Sequence, residues 1–189
     1  MVTGTPGVGK TAVSHSLASK LGAIHIDVAE LVKEENLAVG RDDARQTLVA
    51  DTKIVQKRVK ELIQRSDKDV VVDGHYAVDV VPPRTVTRVF VLRRSPEELK
   101  ATLEAYGFAG KKLWENLAAE ILDVCLWDAV SVCGAGGVCE LDVSGSAVTE
   151  VVETIGSILD GRGRCENGVV DWLGQLESEG RLSGFLRDF

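Results

Sequence analysis

The residues with the clearest chemical purpose open the chain, in the run Gly-Thr-Pro-Gly-Val-Gly-Lys-Thr at residues 4–11. This run matches the pattern G-x-x-x-x-G-K-[ST] at every fixed position. Glycines lack the Cβ that would keep successive backbone N–H groups from curling around an anion. The ammonium group of Lys10 adds charge for the β- and γ-phosphates, and the Thr11 hydroxyl can ligate Mg²⁺. The stretch therefore predicts a loop that holds the triphosphate of ATP together with Mg²⁺.

A helix should follow this loop directly, because loops of this kind lie between a buried strand and a helix. Apolar residues recur at helical spacing from residue 12 to Gly22, and the positive end of that helix would face the phosphates. Only residues 1–3 precede the loop, which indicates either a start site placed a few residues late or an unusually short first strand. The alternative is a plain glycine-rich turn, but the helix favours the phosphate loop. The expected nucleotide contacts are Gly4, Gly7, Val8, Gly9, Lys10, Thr11 and Ala12.

A second candidate for metal chemistry is Asp73, which ends the valine run at residues 70–72. A hydrophobic strand that ends in aspartate is typical of the acidic element that orients Mg²⁺ in phosphate-loop proteins. Open α/β sheets bind ligands at the carboxyl ends of their strands, so we expect Asp73 and Thr11 to hold the metal together. The alternative is a solvent-exposed aspartate at the end of a strand.

Histidines near these groups are candidates for contact with the reacting phosphate. His75 lies two residues after Asp73 and could touch phosphate or an attacking group. A lone histidine is as often structural, so the residues alone leave its role open. His15 and His25 are interpreted as structural residues, on a helix surface and a strand respectively.

Basic side chains concentrate between residues 84 and 112, where seven lysines and arginines accompany three acids. Phosphoryl transfer is catalysed mainly by positioning and by cations around the moving charge. Arg93 and Arg94 directly follow a predicted strand at the ligand edge, and we assign Arg93 a catalytic role. Residues 107–112 lie between two predicted helices and could form a hinged lid that brings cations to the site.

Length and composition narrow the class of protein. A chain of 189 residues predicts one domain, and a net charge of −7 argues against a general nucleic-acid binder. No apolar run is long enough to span a membrane and the loop at residue 4 leaves no room for a cleavable leader, so we expect a cytoplasmic protein. The cysteines show no C-x-x-C spacing, which predicts neither a zinc site nor a disulfide framework. They are Cys125, Cys133, Cys139 and Cys165.

Strand and helix patterns alternate along the chain, which predicts an α/β fold with a parallel five-stranded sheet and helices on both faces. We expect an irregular segment at 36–50, a flexible linker at 161–168 and a C-terminal helix within 169–189 that packs on the body. Predicted strands lie at 1–3, 23–26, 69–73, 88–92 and 138–143. Predicted helices lie at about 10–22, 27–35, 51–65, 95–107, 111–130 and 147–159.

Taken together, several motifs resemble the archaeal and nuclear adenylate-kinase-like family. The similarity runs from residue 1 to about residue 160, and the tail resembles that of archaeal members. Apart from the phosphate loop, each motif is weak by itself, but the combination is specific. The motifs are the loop at 4–11, Asp-Gly-His at 73–75, Val-Leu-Arg at 91–93, Leu-Glu-Ala-Tyr-Gly-Phe at 103–108, Lys-Lys-Leu-Trp-Glu-Asn at 111–116 and Asp-Val-Ser-Gly at 142–145.

The resemblance implies a three-layer nucleoside monophosphate kinase fold over residues 1–160. Residues 27–50 would bind the monophosphate, and residues 105–115 would form a short lid. The implied reaction is ATP + AMP ⇌ 2 ADP with Mg²⁺, beside a slow ATPase activity. Members of the family also assist maturation of the small ribosomal subunit by binding a platform ribosomal protein. We expect a monomer with no sequence-specific nucleic-acid binding.

The resemblance also assigns site residues and exposes one departure. Asp73 and His75 match the essential acidic–histidine pair of the family. Its lid usually carries Arg-Gly-Tyr, where this chain has Tyr-Gly-Phe at 106–108. Tyr106 could stack on adenine but cannot neutralise phosphate. Loss of that cation would slow transfer unless another basic residue compensates.

Two functional classes remain open from the sequence. The first is a metabolic adenylate kinase that uses AMP as its acceptor. The second is an assembly ATPase whose affinity for a ribosomal protein depends on the bound nucleotide. The altered lid favours this second class. A kinase for another small metabolite, such as shikimate or a pyrimidine monophosphate, is disfavoured by the Asp-Gly-His and lid motifs.

Overall fold

The computed structural model describes residues 1–42 and 47–186. Its centre is an all-parallel five-stranded sheet, which confirms the predicted fold class. The strands of this sheet are β1 (Val2–Thr3), β2 (Ile24–Asp27), β5 (Val70–Asp73), β6 (Val89–Arg93) and β7 (Val138–Asp142). They lie side by side in the order β2-β5-β1-β6-β7. The helices before β6 are α1 (Lys10–Leu21), α2 (Val28–Glu34), α3 (Thr52–Arg65) and α4 (Ala77–Val80). Those after it are α5 (Pro96–Ala105), α6 (Gly110–Ile121), α7 (Val124–Cys133), α8 (Val148–Leu159) and α9 (Trp172–Ser178).

The first strand, β1, spans only Val2–Thr3, yet it is the central strand of the sheet. Val2 pairs with Asp73 of β5 on one side and with Phe90 of β6 on the other. Its amino end is held further, because the Met1 carbonyl accepts from Phe90 N–H at 2.9 Å. Two neighbouring strands therefore fix the point from which the phosphate loop departs.

Helices cover both faces of the sheet because side chains along a buried strand alternate in direction. In β6, Phe90 and Leu92 pack into the core cluster that contains residues of α1, α5 and α8. Val89 and Val91 point the other way and pack against α7. The same alternation continues beyond the strand, so the side chains of the adjacent Arg93 and Arg94 leave the sheet on opposite faces.

The segment at 36–50 is not irregular, so that prediction is wrong where the structure describes it. Strands β3 (Ala38–Asp42) and β4 (Thr47–Ala50) form an antiparallel pair, in which Gly40 lies opposite Val49. Residues 43–46 lie outside the described part of the chain. Polar residues and a shift in register hide the period-two pattern, and pairing between the strands supplies the order that composition does not predict.

The single helix predicted at 111–130 is two helices, α6 and α7. The break falls at Asp123, whose φ of 57° lies in the left-handed region. Its carboxylate accepts from the Arg93 guanidinium at 2.5 Å. Helical spacing of apolar residues runs across the break, so periodicity alone predicts one helix.

The segment at 161–168 is fastened to the edge strand β7, which contradicts the predicted flexible linker. Cys139 of β7 and Cys165 form a disulfide, which also contradicts the prediction that the cysteines form none. The Glu140 N–H donates to the Glu166 carbonyl at 2.7 Å, and the Asn167 side chain donates to the Val138 carbonyl. Cys139 and Cys165 are 26 residues apart in sequence, and only the folded chain brings them together.

Reducing this disulfide is expected to lower the free energy of unfolding by about 3 kcal/mol, because the crosslink closes a loop of intermediate length. Urea unfolding with and without dithiothreitol measures the difference. The double variant Cys139→Ser with Cys165→Ser should match the reduced protein and show no response to dithiothreitol. Equal midpoints for the oxidised and reduced wild type would contradict the prediction.

The C-terminal helix α9 packs on the body, as the sequence predicts. Trp172 and Leu176 are buried against Ile121 of α6. No helix among residues 1–42 and 47–186 has the length and apolar composition that crossing a bilayer requires. The tail is therefore part of the same packed unit as the sheet.

Candidate nucleotide-binding site

The phosphate loop connects β1 to α1 with glycines where the backbone requires them. Gly4 has φ of 139°, and a Cβ there would lie 2.4 Å from the Leu92 carbonyl oxygen of the neighbouring strand. Gly9 has φ of 100° and starts α1, since its carbonyl accepts from Val13 N–H at 3.1 Å. The side chain of Val8 is buried in the core, which leaves only its backbone for a ligand. The loop therefore has positive φ at glycines, the conformation for which the motif requires them.

Lys10 spans this loop from the first turn of α1. Its Nζ donates to the Thr5 carbonyl oxygen at 3.0 Å. Desolvation lowers the pKa of Lys10, while nearby groups that include the carboxylate of Asp73 oppose the shift. The ammonium group thus lies over the loop with one protein acceptor, which an incoming phosphate oxygen can replace.

Two carboxylates face the Thr11 hydroxyl at the carboxyl edge of the sheet. Asp27 ends β2 and Asp73 ends β5, and the parallel register places the two residues directly opposite each other. Thr11 Oγ1 lies 3.1 Å from Asp27 Oδ2 and 3.2 Å from Asp73 Oδ2. Hydroxyl and carboxylate oxygens are the ligands that Mg²⁺ prefers, so these groups fit the predicted metal. The structure brings Thr11 and Asp73 together as the sequence predicts.

Asp27 was predicted to start a helix and the monophosphate-binding region, and the structure also places its carboxylate beside Thr11. Its Oδ1 accepts from the N–H groups of Ala29 and Glu30, which caps α2 and leaves Oδ2 directed at Thr11. A signal for this role was present in the sequence. Asp27 follows a predicted strand, just as Asp73 does, and both therefore reach the same edge of the sheet.

His25 was interpreted as structural, but it contacts the buried acid of the site. Its Nε2 lies 2.5 Å from Oδ1 of Asp73, whose exposed fraction is only 1%. This hydrogen bond raises the pKa of His25 above its usual value. The imidazole therefore fixes one oxygen of the carboxylate, while the other oxygen faces Thr11.

His75 lies at the mouth of the site, close to the charge of Lys10. Desolvation, and then the Lys10 ammonium, lower the pKa of His75 to about 4. Part of the residue stays accessible to solvent, which preserves some hydration of the charged form. The ring is therefore neutral at pH 7, where it can donate one hydrogen bond without adding charge.

The two histidines are expected to titrate on opposite sides of the ordinary value near 6.5. A midpoint above it is expected for His25, because its protonated form is hydrogen-bonded to Asp73. A midpoint below it is expected for His75, because desolvation and Lys10 disfavour its charged form. NMR titration of the ring signals, assigned with His25→Gln and His75→Gln, measures both. The reverse order of midpoints would contradict the described hydrogen bonding.

Arg93 does not reach the phosphate loop, which contradicts its predicted catalytic role. The side chain is 1% exposed, and its Nε donates to Glu120 Oε1 at 2.8 Å. Its two terminal nitrogens donate to the carboxylates of Glu140 and Asp123. Arg93 shares the strand face of Val89 and points away from the loop, where three acids occupy its donors.

Glu120 connects the loop to this buried cluster, and sequence reasoning missed it. Its Oε2 accepts from the Thr5 hydroxyl at 2.5 Å, and its Oε1 accepts from the Trp172 indole N–H at 3.2 Å. The glutamate is itself buried. In the sequence it is one acid in an amphipathic helix, which is typical of a solvated position. Only its tertiary partners reveal that it supports the loop.

The predicted lid is the turn between α5 and α6. Tyr106 is 70% exposed beside Gly107, whose φ of 80° allows the chain to reverse. Lys112 lies over the Phe108 ring at 4.7 Å, and Lys111 pairs with a glutamate one turn along α6. Contact between Tyr106 and adenine stays a prediction.

Comparison with known proteins agrees with this geometry. A family model described as "AAA domain" matches residues 1–123. A protein of *Methanocaldococcus jannaschii* named "Putative adenylate kinase" is 37% identical over 171 residues, which cover 90% of each chain. One of the same name from *Methanothermobacter thermautotrophicus* is 37% identical over 175 residues, covering 93% of this chain and 97% of the relative. The chain belongs to the archaeal adenylate-kinase-like family.

Solved structures support the fold of this family member independently. A shikimate kinase from *Bacteroides thetaiotaomicron* superposes with a TM-score of 0.54 at 17% identity, covering 84% of this chain and 96% of the other. A gluconokinase from *Sinorhizobium meliloti* gives 0.50, also at 17% identity, over 80% and 85% of the two chains. At such identities the likeness concerns the fold alone, a parallel α/β sheet flanked by helices.

Proposed function

We propose that this protein transfers the terminal phosphoryl group of ATP to AMP with Mg²⁺, which gives two molecules of ADP. The observation that carries the proposal is the meeting of Lys10, Thr11 and two aspartates over a glycine-rich loop at the carboxyl edge of a parallel sheet. Relatives named as adenylate kinases over nearly the whole chain support the choice of reaction. Phosphoryl transfer requires positioning and positive charge, and this site offers both.

The residues take separate roles in this reaction. Backbone N–H groups from Gly4 to Ala12 would bind the phosphates of ATP, and Lys10 would bridge its β- and γ-phosphates. Thr11 and Asp73 would hold Mg²⁺, which neutralises charge on the phosphates when it is bound. His25 would keep Asp73 oriented toward the metal side of the cleft.

The acceptor would enter beside β2 and residues 27–50. Asp27 stands at the start of this region and faces the same cleft as the phosphate loop. His75, neutral at pH 7, would donate a hydrogen bond to phosphate without adding a second positive charge beside the Lys10 ammonium. Tyr106 would stack on the adenine of ATP from the turn between α5 and α6. Water in the acceptor position would account for a slow ATPase activity.

A second role, in assembly of the small ribosomal subunit, rests on the family resemblance and on the acidic charge of the chain. A net charge of −7 suits a basic partner such as a ribosomal protein. The experiment that separates the roles follows ADP formation from ATP with and without AMP. Acceleration by AMP supports the kinase. If AMP leaves the rate of ADP formation unchanged and a purified platform ribosomal protein raises it, the assembly ATPase is supported. A panel of other acceptors tests whether shikimate or pyrimidine monophosphates are phosphorylated instead.

Asp73→Asn is expected to weaken the dependence of the reaction on Mg²⁺. The amide keeps the shape of the carboxylate but loses its charge, so a higher Mg²⁺ concentration should be needed for half-maximal rate. A shift of about tenfold is the scale expected when a metal-orienting group is altered. A magnesium titration of the initial rate measures it.

The matched control is Asp69→Asn, which removes an exposed aspartate directly before β5, at the end opposite to Asp73. Its magnesium titration should superpose on that of the wild type. If Asp73→Asn also superposes, Asp73 does not orient the metal.

A further inference from the structure

Arg94 forms an ion pair with Glu98 that leaves one buried nitrogen of its guanidinium without a hydrogen-bond acceptor among the described residues. Its Nε is buried and has no hydrogen-bond acceptor there. The nearest carboxylate oxygen, Glu98 Oε2, lies 3.8 Å from this nitrogen, which is beyond hydrogen-bond distance. The same oxygen accepts from Gly145 N–H at 3.2 Å. A buried guanidinium N–H without an acceptor is costly, so the position points to a ligand.

The side chain lies beside the phosphate loop. Arg94 follows β6 on the face opposite to Arg93, and its own N–H donates to Glu120 Oε1 at 3.1 Å. A Cβ built on Gly9 would lie 3.9 Å from Arg94 Nη2. The guanidinium therefore borders the loop at Gly9, the residue that directly precedes Lys10.

Other cations near the cleft are engaged elsewhere. Arg93 is enclosed by three carboxylates. Lys111 is 83% exposed and pairs with Glu115, and Lys112 lies over an aromatic ring. Of the basic residues predicted to serve the phosphates from this part of the chain, Arg94 is the one whose guanidinium borders the loop.

We propose that Arg94 contacts the phosphates of the bound nucleotide and supplies the cation that the turn between α5 and α6 does not provide. The inference rests on the proposed function, since it takes the ligand to be a nucleotide polyphosphate. A guanidinium donates two parallel hydrogen bonds to phosphate oxygens, which suits a group that must hold and orient a triphosphate. On binding, Arg94 would exchange its loose pairing with Glu98 for the phosphate oxygens.

The test compares Arg94→Gln with the wild type in calorimetric titrations with magnesium–ATP, magnesium–tripolyphosphate and adenosine. Loss of a charge-assisted contact is expected to weaken binding of ATP and of tripolyphosphate by about tenfold or more. Adenosine binding should stay within twofold, because adenosine carries no phosphate. Arg94→Lys should fall between the two proteins, since it keeps the charge but loses the paired donors. Arg84→Gln, an exposed arginine, controls for the change in net charge.

The outcomes are distinguishable. Equal ATP and tripolyphosphate affinities in wild type and Arg94→Gln overturn the role of Arg94, and an equal loss for adenosine assigns it to folding instead. If circular dichroism shows that Arg94→Gln is unfolded, the Arg94→Lys titrations decide by the same criteria. The reaction itself is tested on the wild type with ATP and AMP. A wild type that binds ATP but does not phosphorylate AMP refutes the proposed function and leaves the Arg94 measurement intact.

Discussion

Replacing Lys10 by alanine is expected to lower ATP turnover by at least about a hundredfold, because single cations or donors at the reacting charge contribute about 10²–10³ in rate. Lys10 is the ammonium group that spans the phosphate loop. The rate of ADP formation at saturating ATP measures the effect.

The fold of this variant should survive. Lys10 makes one hydrogen bond to the Thr5 carbonyl, and the loss of one such bond changes stability by about 1 kcal/mol. Lys33→Ala, at an exposed position of α2, is the control and should keep full turnover. Wild-type turnover in a folded Lys10→Ala protein would refute the assignment of the whole site.

Replacing Arg93 by methionine is expected to destabilise the protein by about 3–5 kcal/mol, because it leaves buried carboxylates without their cation. Glu120 and Glu140 are both buried, and each accepts from this guanidinium. Methionine fills a similar volume, so the loss of charge rather than a cavity dominates the effect. Urea unfolding monitored by circular dichroism gives the free energy of unfolding.

Arg58→Met provides the matched control. Arg58 pairs with Glu35 on the surface, where such pairs contribute at most about 1 kcal/mol. The rate of the folded Arg93→Met protein separates a structural role from a catalytic one. A stability close to that of the wild type with a hundredfold slower rate would restore the catalytic role that the structure contradicts.

Local patterns in the sequence predicted the parts of the site that depend on short-range physics. The phosphate loop is specified by glycines, a lysine and a threonine at fixed spacing, and its backbone conformation needs no distant residue to be recognised. Asp73 was found because a buried strand reads as an apolar run and its last residue must reach the ligand edge.

Residues 36–50 mark where local patterns fail. The pairing of β3 with β4 uses backbone hydrogen bonds, which side-chain composition does not encode. The same holds for the disulfide, since Cys139 and Cys165 meet only when the tail returns to the edge strand. In both cases the order comes from contacts between segments that are separate in the sequence.

The amino-acid sequence by itself determined that this protein has a phosphate loop, a parallel sheet behind it and an acid beside its threonine. Only the tertiary structure decided which neighbouring side chains lie beside that loop. Arg93 and Arg94 are adjacent and chemically identical, but the alternation of strand faces sends the first among buried acids and the second toward Gly9. The direction of a side chain at the end of a strand depends on which helices pack on each face of the sheet. Those helices come from distant parts of the chain.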